Sequence, residues 1–199
     1  KRGQKFKKVD ILKKIQEIRN ELFPKEDQKV FTPLFCTALD SNNPNYNMFK
    51  AHIKIPYIAK EKGKSDLQEI VLFANHPMIK QMSASNQWFM DSTFKIAPKR
   101  FKQILNILVF IPHLKIFYPV CHVFMSRKTE DLYYTIFENL KIIALRSGFE
   151  LNPELIMCDF ESPMRNAAKK AFKNVKLTGC YFHFTKSLFD KVTSLGLRK

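Results

Sequence analysis

The chain has 199 residues, with 34 Lys plus Arg against 18 Asp plus Glu and a formal charge of +16. That length fits one large domain, or one domain with an appendage, and a 45% hydrophobic fraction with 19 Phe can fill a core, which excludes a disordered basic tail. Only 5 Gly and 4 Cys are present, excluding collagen-like, glycine-linker and disulfide-scaffold classes and predicting free thiols in a reducing compartment.

Along Lys5 to Phe23, Val9, Ile11, Leu12, Ile15, Ile18 and Leu22 recur at three- and four-residue steps between lysines, and Pro24 follows. The pattern predicts an amphipathic basic helix, which can either touch a phosphate backbone or dock with an ordinary solvated face. The opening KRGQKFKK fits a nuclear-targeting patch, and a nuclear location is expected. Between Val30 and Asn75 the segments VFTPLFCTAL, MFKAHIKIPYIAK and LQEIVLFAN read as three short strands with polar turns. In the second, Phe49, Ala51, Ile53 and Ile55 alternate with Lys50, His52 and Lys54, a half-buried strand with a basic outer edge. HPMIKQMSAS, from His76, reads as a short helix.

From Gln87 the rhythm becomes strand, strand, strand, helix, strand, helix, strand, helix. QWFMDSTFKI, QILNILVFIP and IFYPVCHVFM are the first three strands, followed by a long helix capped by Thr129 and stopped by Gly148. PELIMCDF is a short buried strand ending in an acid. SPMRNAAKKAFKN is a helix with Ser162 as cap and Pro163 in its first turn. VKLTGCYF is a last strand, and HFTKSLFDKVTSL a closing helix before Gly196. The most apolar stretch, Ile104 to Met125, is interrupted by Asn106, Pro112, His113, Lys115 and Pro119, so no membrane-spanning helix is expected. The start at Lys1 and the untapered end lead us to expect a portion of a longer protein. The charge makes nucleic acid the first expected partner and an anionic membrane the second.

Two acids interrupt this apolar pattern: Asp91 after Trp88-Phe89-Met90, and Asp159 after Leu155-Ile156-Met157-Cys158. A carboxylate directly after apolar strand residues is costly unless solvated at a strand end or compensated by a cation. If the helical crossover lays the fourth strand of this series beside the first, the carboxylates converge at one edge. There they can hold a pair of Mg²⁺ or Mn²⁺ ions for phosphodiester chemistry. The other reading makes each acid a turn former or helix cap, and spacing alone does not separate the two.

WFMDSTFKIAP, FKQILNI, PELIMCDFESPMRNAAKKAF and GCYFHFTKSLFDKV together resemble the MULE domain of Mutator-like element transposases, from about Ile70 to Leu197. The resemblance implies an α/β, ribonuclease H-like mixed sheet flanked by helices over 87–199, behind an α+β appendage over 1–80. It implies a catalytic acid triad in which Asp91 matches the first acid and Asp159 the second. The implied reaction is hydrolysis at transposon ends followed by attack of the freed 3′-hydroxyl on target DNA, with Mg²⁺ or Mn²⁺ as cofactor. The family's third acid lies beyond the C-x-x-H segment and has no match here. Glu161 can assist a metal, cap the next helix or accept a hydrogen bond. A non-catalytic DNA-binding protein derived from a transposase is the alternative, an unrelated α/β protein with structural acids a third; homo-oligomerisation stays open.

Cys180 and His183 form C-x-x-H, half of a zinc-type ligand set, and are read as an architectural motif. A DNA surface is expected from Lys95, Lys99 and Arg100 after the first acid and from Arg165, Lys169 and Lys173 after the second. Steps of four place the last three on one helix face. Trp88 is expected in the core.

Overall fold

The computed structural model describes residues 48–58 and 65–197. The basic helix expected over 5–23, the strand expected near 30–39 and the KRGQKFKK patch lie outside the described residues. Seven strands run within them: β1 (Phe49–Ile58), β2 (Ser65–Phe73), β3 (Gln87–Thr93), β4 (Gln103–Ile111), β5 (Ile116–Met125), β6 (Leu155–Cys158) and β7 (Lys176–Gly179). Four helices accompany them: α1 (His76–Ala84), α2 (Glu130–Arg146), α3 (Ser162–Ala171) and α4 (Tyr181–Ser194).

The strands form one sheet in the order β1-β2-β5-β4-β3-β6-β7. β3, β4 and β5 are an antiparallel meander, whereas β6 joins β3 and β7 joins β6 in parallel. The parallel steps follow from the connections, since a helix separates β5 from β6 and another separates β6 from β7, and crossovers of this kind return the chain in its starting direction. The strands from Gln87 onward are thus the mixed α/β sheet of a ribonuclease H-like fold. The β1–β2 hairpin widens that sheet, because β2 pairs antiparallel with β5 from Ile70↔Met125 to Phe73↔His122.

One sheet face builds the core. Trp88 and Met90 of β3, Leu105 and Ile107 of β4, and Ile156 and Cys158 of β6 are all buried there. Against them pack Ile79 and Met82 of α1, Leu132, Ile136 and Phe137 of α2, and Met164, Ala167 and Ala168 of α3. Trp88 also satisfies its indole N–H by donating to the Met82 carbonyl oxygen (3.2 Å), so its burial leaves no polar group unpaired. Alternation along β3 then turns Phe89 and Asp91 to the opposite side.

Local signals act largely as the sequence indicates. The Thr129 side chain accepts from the Leu132 N–H at the start of α2, and Gly148, at φ 80°, ends that helix in the left-handed conformation that glycine adopts without strain. Asn75 caps α1 by accepting from the Met78 N–H. The cap of α3 differs from expectation: Ser162 is the first helical residue and Glu161 takes the cap position without a capping bond, because its carboxylate is held elsewhere.

Glu69, buried in β2, gathers His52 of β1 (2.8 Å) and Arg100 from the β3–β4 connection (Nη2 to Oε2, 2.8 Å). Burial alone would raise its carboxyl, but the hydrogen bonds and charges of His52 and Arg100 outweigh it and hold the carboxyl below the ordinary glutamate range. The cluster fastens the hairpin to the meander. Glu69→Gln is expected to cost about 2 kcal/mol at pH 7 in urea unfolding. Because the folded-state value is depressed, the wild-type advantage is full above the ordinary value of 4.5 and vanishes as pH falls through the lower folded-state value.

Candidate active site

The parallel pairing of β3 with β6 runs Gln87↔Leu155, Trp88↔Ile156 and Phe89↔Met157. Two residues further along each chain stand Asp91 and Asp159. Continued by two residues, that register brings Asp91, inside β3, level with Asp159, just past the end of β6, at about one inter-strand spacing of 5 Å. The Asp91 side chain is 54% exposed, and Asp159 lies just past the end of β6, with Oδ1 accepting from the N–H of Phe160 (2.7 Å). Two carboxylates side by side repel each other, and no lysine or arginine is bound to either among the described residues. Water access and a vicinal cation are the two ways to relieve that repulsion.

The same row continues across the meander: Asp91 pairs with Asn106, and Asn106 with His122. The His122 ring donates from Nδ1 to the Asn106 amide oxygen (2.7 Å), and burial lowers the pKa of the imidazole. Cys121, its neighbour, points into the core, where burial raises its thiol pKa, so the two cannot act as a ligand pair.

His183, on the first turn of α4, brings Nε2 to 3.8 Å from Asp91 Oδ1. Its Nδ1 is buried and finds no hydrogen-bond partner among the described residues. Cys180 occupies the cap position of α4 without a side-chain bond, while its backbone N–H donates to the Cys158 carbonyl oxygen (3.0 Å). The C-x-x-H segment thus turns the chain from β7 into α4 and aims its imidazole at the first acid.

Glu161 plays a different part from the two aspartates. Tyr133 of α2 donates its hydroxyl to Oε1 (2.9 Å) and Lys128 donates to Oε2 (2.8 Å). Gln103 of β4 in turn donates to the Tyr133 hydroxyl (2.6 Å). Burial, reinforced by the charge of Glu161, pushes the phenol far above its ordinary value despite the donation from Gln103, so it stays a proton donor. Lys128 also lies 4.3 Å from the ring centroid of Phe94. One ammonium thus bridges the segment after Asp91 and the segment after Asp159.

The basic residues divide in the same way. Lys95, Lys99, Lys169 and Lys173 are exposed. Arg100 instead binds Glu69, and Arg165 donates from Nη1 to the Thr178 carbonyl oxygen (3.3 Å) and to Cys158 Sγ (3.7 Å), an internal tie between α3 and the strands beneath it. The expected three-residue stripe on one helix does not form, since α3 ends at Ala171 and Lys173 lies in the following turn. Lys128, Tyr133 and the Asn106–His122 pair had no sequence signal, because each matters only through a neighbour distant along the chain.

A mixed sheet of this strand order, with one acid inside β3 and another just past the end of the parallel strand β6 beside it, defines a ribonuclease H-like domain. Comparison with known protein families matches residues 87–187, just over half of the chain, to the MULE transposase domain. The chain belongs to that family, and its function is transposase-related. No curated protein matches it. Transposases of this kind are generally metal-dependent. Asp91 and Asp159 fit a hard divalent cation, being oxygen donors at a wet edge, whereas both oxygens of Glu161 are engaged by Tyr133 and Lys128. No group of three His, Cys, Asp or Glu side chains converges as a metal site among the described residues.

The two kinds of acid separate in a stability measurement. Asp91→Asn is expected to stay within about 0.5 kcal/mol of wild type in urea unfolding, or to be stabilising, because it removes an exposed, repelled charge. Glu161→Ala is expected to cost about 2 to 3 kcal/mol, because it strands the Tyr133 hydroxyl and Lys128.

Proposed function

We propose that this chain carries the first two acids of a DNA transposase catalytic core that cuts phosphodiester bonds at transposon ends and transfers the freed strand to target DNA. The observation that supports it most is that the parallel pairing of β3 with β6 stops two residues short of Asp91 and Asp159, within a MULE transposase domain. In this reading the two carboxylates bind Mg²⁺ or Mn²⁺. When bound, such ions supply positive charge to the attacking and leaving oxygens of an in-line phosphoryl transfer. Glu161, Tyr133 and Lys128 orient the loop that carries Asp159. Lys95, Lys99, Lys169 and Lys173 hold backbone phosphates, contacts that position DNA without reading its sequence. His183 contacts Asp91 from the side and restricts where that carboxylate can turn. The place of action proposed is the nucleus.

A second reading, a DNA-binding protein without catalysis, draws on the want of a third free acid among the described residues. A metal-binding titration and a plasmid assay distinguish the two. Mn²⁺ binding, followed by calorimetry, is expected to fall at least about tenfold in Asp91→Asn and Asp159→Asn and to persist in Glu161→Gln. The 199 residues alone are expected to nick supercoiled plasmid weakly in Mg²⁺, since two carboxylates leave a metal short of ligands. Strong nicking abolished by Asp91→Asn would reveal a further ligand inside the chain. Failure of the wild type to bind Mn²⁺ would favour the second reading.

Both readings require salt-dependent duplex binding. Replacing any one of the four exposed lysines with alanine is expected to reduce the slope of log affinity against log salt by about one in a fluorescence-anisotropy titration. An unchanged slope would remove that lysine from the surface.

A further inference from the structure

Each acid is followed by an exposed ring. Phe94 comes three residues after Asp91 and is 51% exposed; Phe160 comes directly after Asp159 and is 53% exposed. Neither ring belongs to the core, and each has a cation beside it: Lys128 lies 4.3 Å from the Phe94 centroid and the Arg165 guanidinium carbon 5.9 Å from that of Phe160. Phe160 is the more firmly seated. An ideal Cβ on Gly179 of β7 would lie 2.2 Å from its Cζ and 2.6 Å from its Cε1, so the ring rests on bare backbone where any other residue would displace it. The ring of Phe184 stands 6.3 Å away and limits its swing on another side. One part of the ring is thus propped by strand and helix while about half its surface stays open beside the second acid.

We propose that Phe160 is a stacking platform for an unpaired nucleobase of the DNA strand whose phosphate lies at Asp91 and Asp159. The inference rests on the transposase reading and adds to it a preference for a locally unpaired strand. Base–aromatic stacking suits such a ring because every base has a π-face, so the contact needs no particular sequence. The cations favour this occupant over an apolar protein segment. A nucleotide offers a base to the open ring and a negative phosphate to Arg165, whose described bonds go to a carbonyl oxygen and a thiol and to no carboxylate, whereas an apolar segment would cover that guanidinium without answering its charge. Phe94, on the loop of the other acid, is placed to receive a second base or the edge of the first.

The test compares binding of single-stranded dT20 with binding of a 20-base-pair duplex, both fluorescein-labelled, in the full 199-residue chain. Phe160→Ala is expected to weaken dT20 binding by about five- to a hundredfold, to leave duplex affinity within about twofold and to leave the salt slope unchanged. Phe160→Trp is expected to restore dT20 binding. Its new indole should be quenched by dT20, against a constant background from the sole native tryptophan, Trp88, which is fully buried and out of reach of a bound base. Gly179→Val, which displaces the ring without altering it, is expected to reproduce the loss while far-UV circular dichroism stays native. The platform is overturned if Phe160→Ala binds dT20 like wild type, if both DNAs weaken equally, or if the indole of Phe160→Trp is not quenched. A change in self-association instead, seen by sedimentation, would assign the ring to a protein contact and would also overturn it. Duplex binding without an effect at Phe160 would refute the platform alone; a wild type that binds neither DNA would refute the DNA reading with it.

Discussion

Everything at the candidate site depends on the register in which β6 lies against β3. Parallel strands of ordinary spacing present paired residues side by side, and the pairing of Phe89 with Met157, continued by two residues, brings Asp91 level with Asp159 where β6 ends. A slip of one residue would send one carboxylate into the core among Trp88, Met90, Ile156 and Cys158, at the full cost of burying a charge. The apolar residues of these strands therefore do more than fill space. By demanding burial on one face they force the acids onto the other, and the core specifies the site by exclusion.

Charge at this edge is arranged in two tiers. The outer tier, Asp91 and Asp159, is left without a lysine or arginine partner among the described residues, and its mutual repulsion is an unfavourable local interaction that a bound cation would relieve. The inner tier, Glu161 with Tyr133 and Lys128, is fully paired and acts as internal scaffolding. Had Lys128 reached for Asp159 instead, the edge would be neutralised and of little use to a cation. The nearby Tyr133 hydroxyl and the Glu161 carboxylate prevent this by giving the ammonium a better-satisfied position one loop away.

Much of this was legible in the sequence because the signals were local. The three-strand meander, the Thr129 cap, the Gly148 stop and the acids ending apolar runs each depend on a few neighbouring residues, and they coincide with β3, β4, β5, β6 and α2. The roles of Arg100 and Arg165 were not legible: both look like surface cations, yet their partners Glu69 and Thr178 lie 31 and 13 residues away. The cap of α3 was misplaced by one residue for the same reason, since Lys128 and Tyr133, which hold Glu161, lie 33 and 28 residues away. Phe160 was hidden in a different way. Between Asp159 and Glu161 it gives no local sign of its environment, and the lack of a side chain at Gly179, 19 residues on, gives the ring its seat at the surface.

The tie from α2 to Glu161 also joins parts of the chain that are far apart in sequence. Asp91 and Asp159 belong to strands joined by the meander and α2, and the entropy of closing so long a segment must be met before the pairing returns any energy. α2, with 17 residues, spans about 25 Å as a rod, which shortens the flexible part of that closure, with Tyr133 in its first turn and Lys128 just before its cap. The segment carrying Glu161 thus closes onto two donors held close together near one end of that rod.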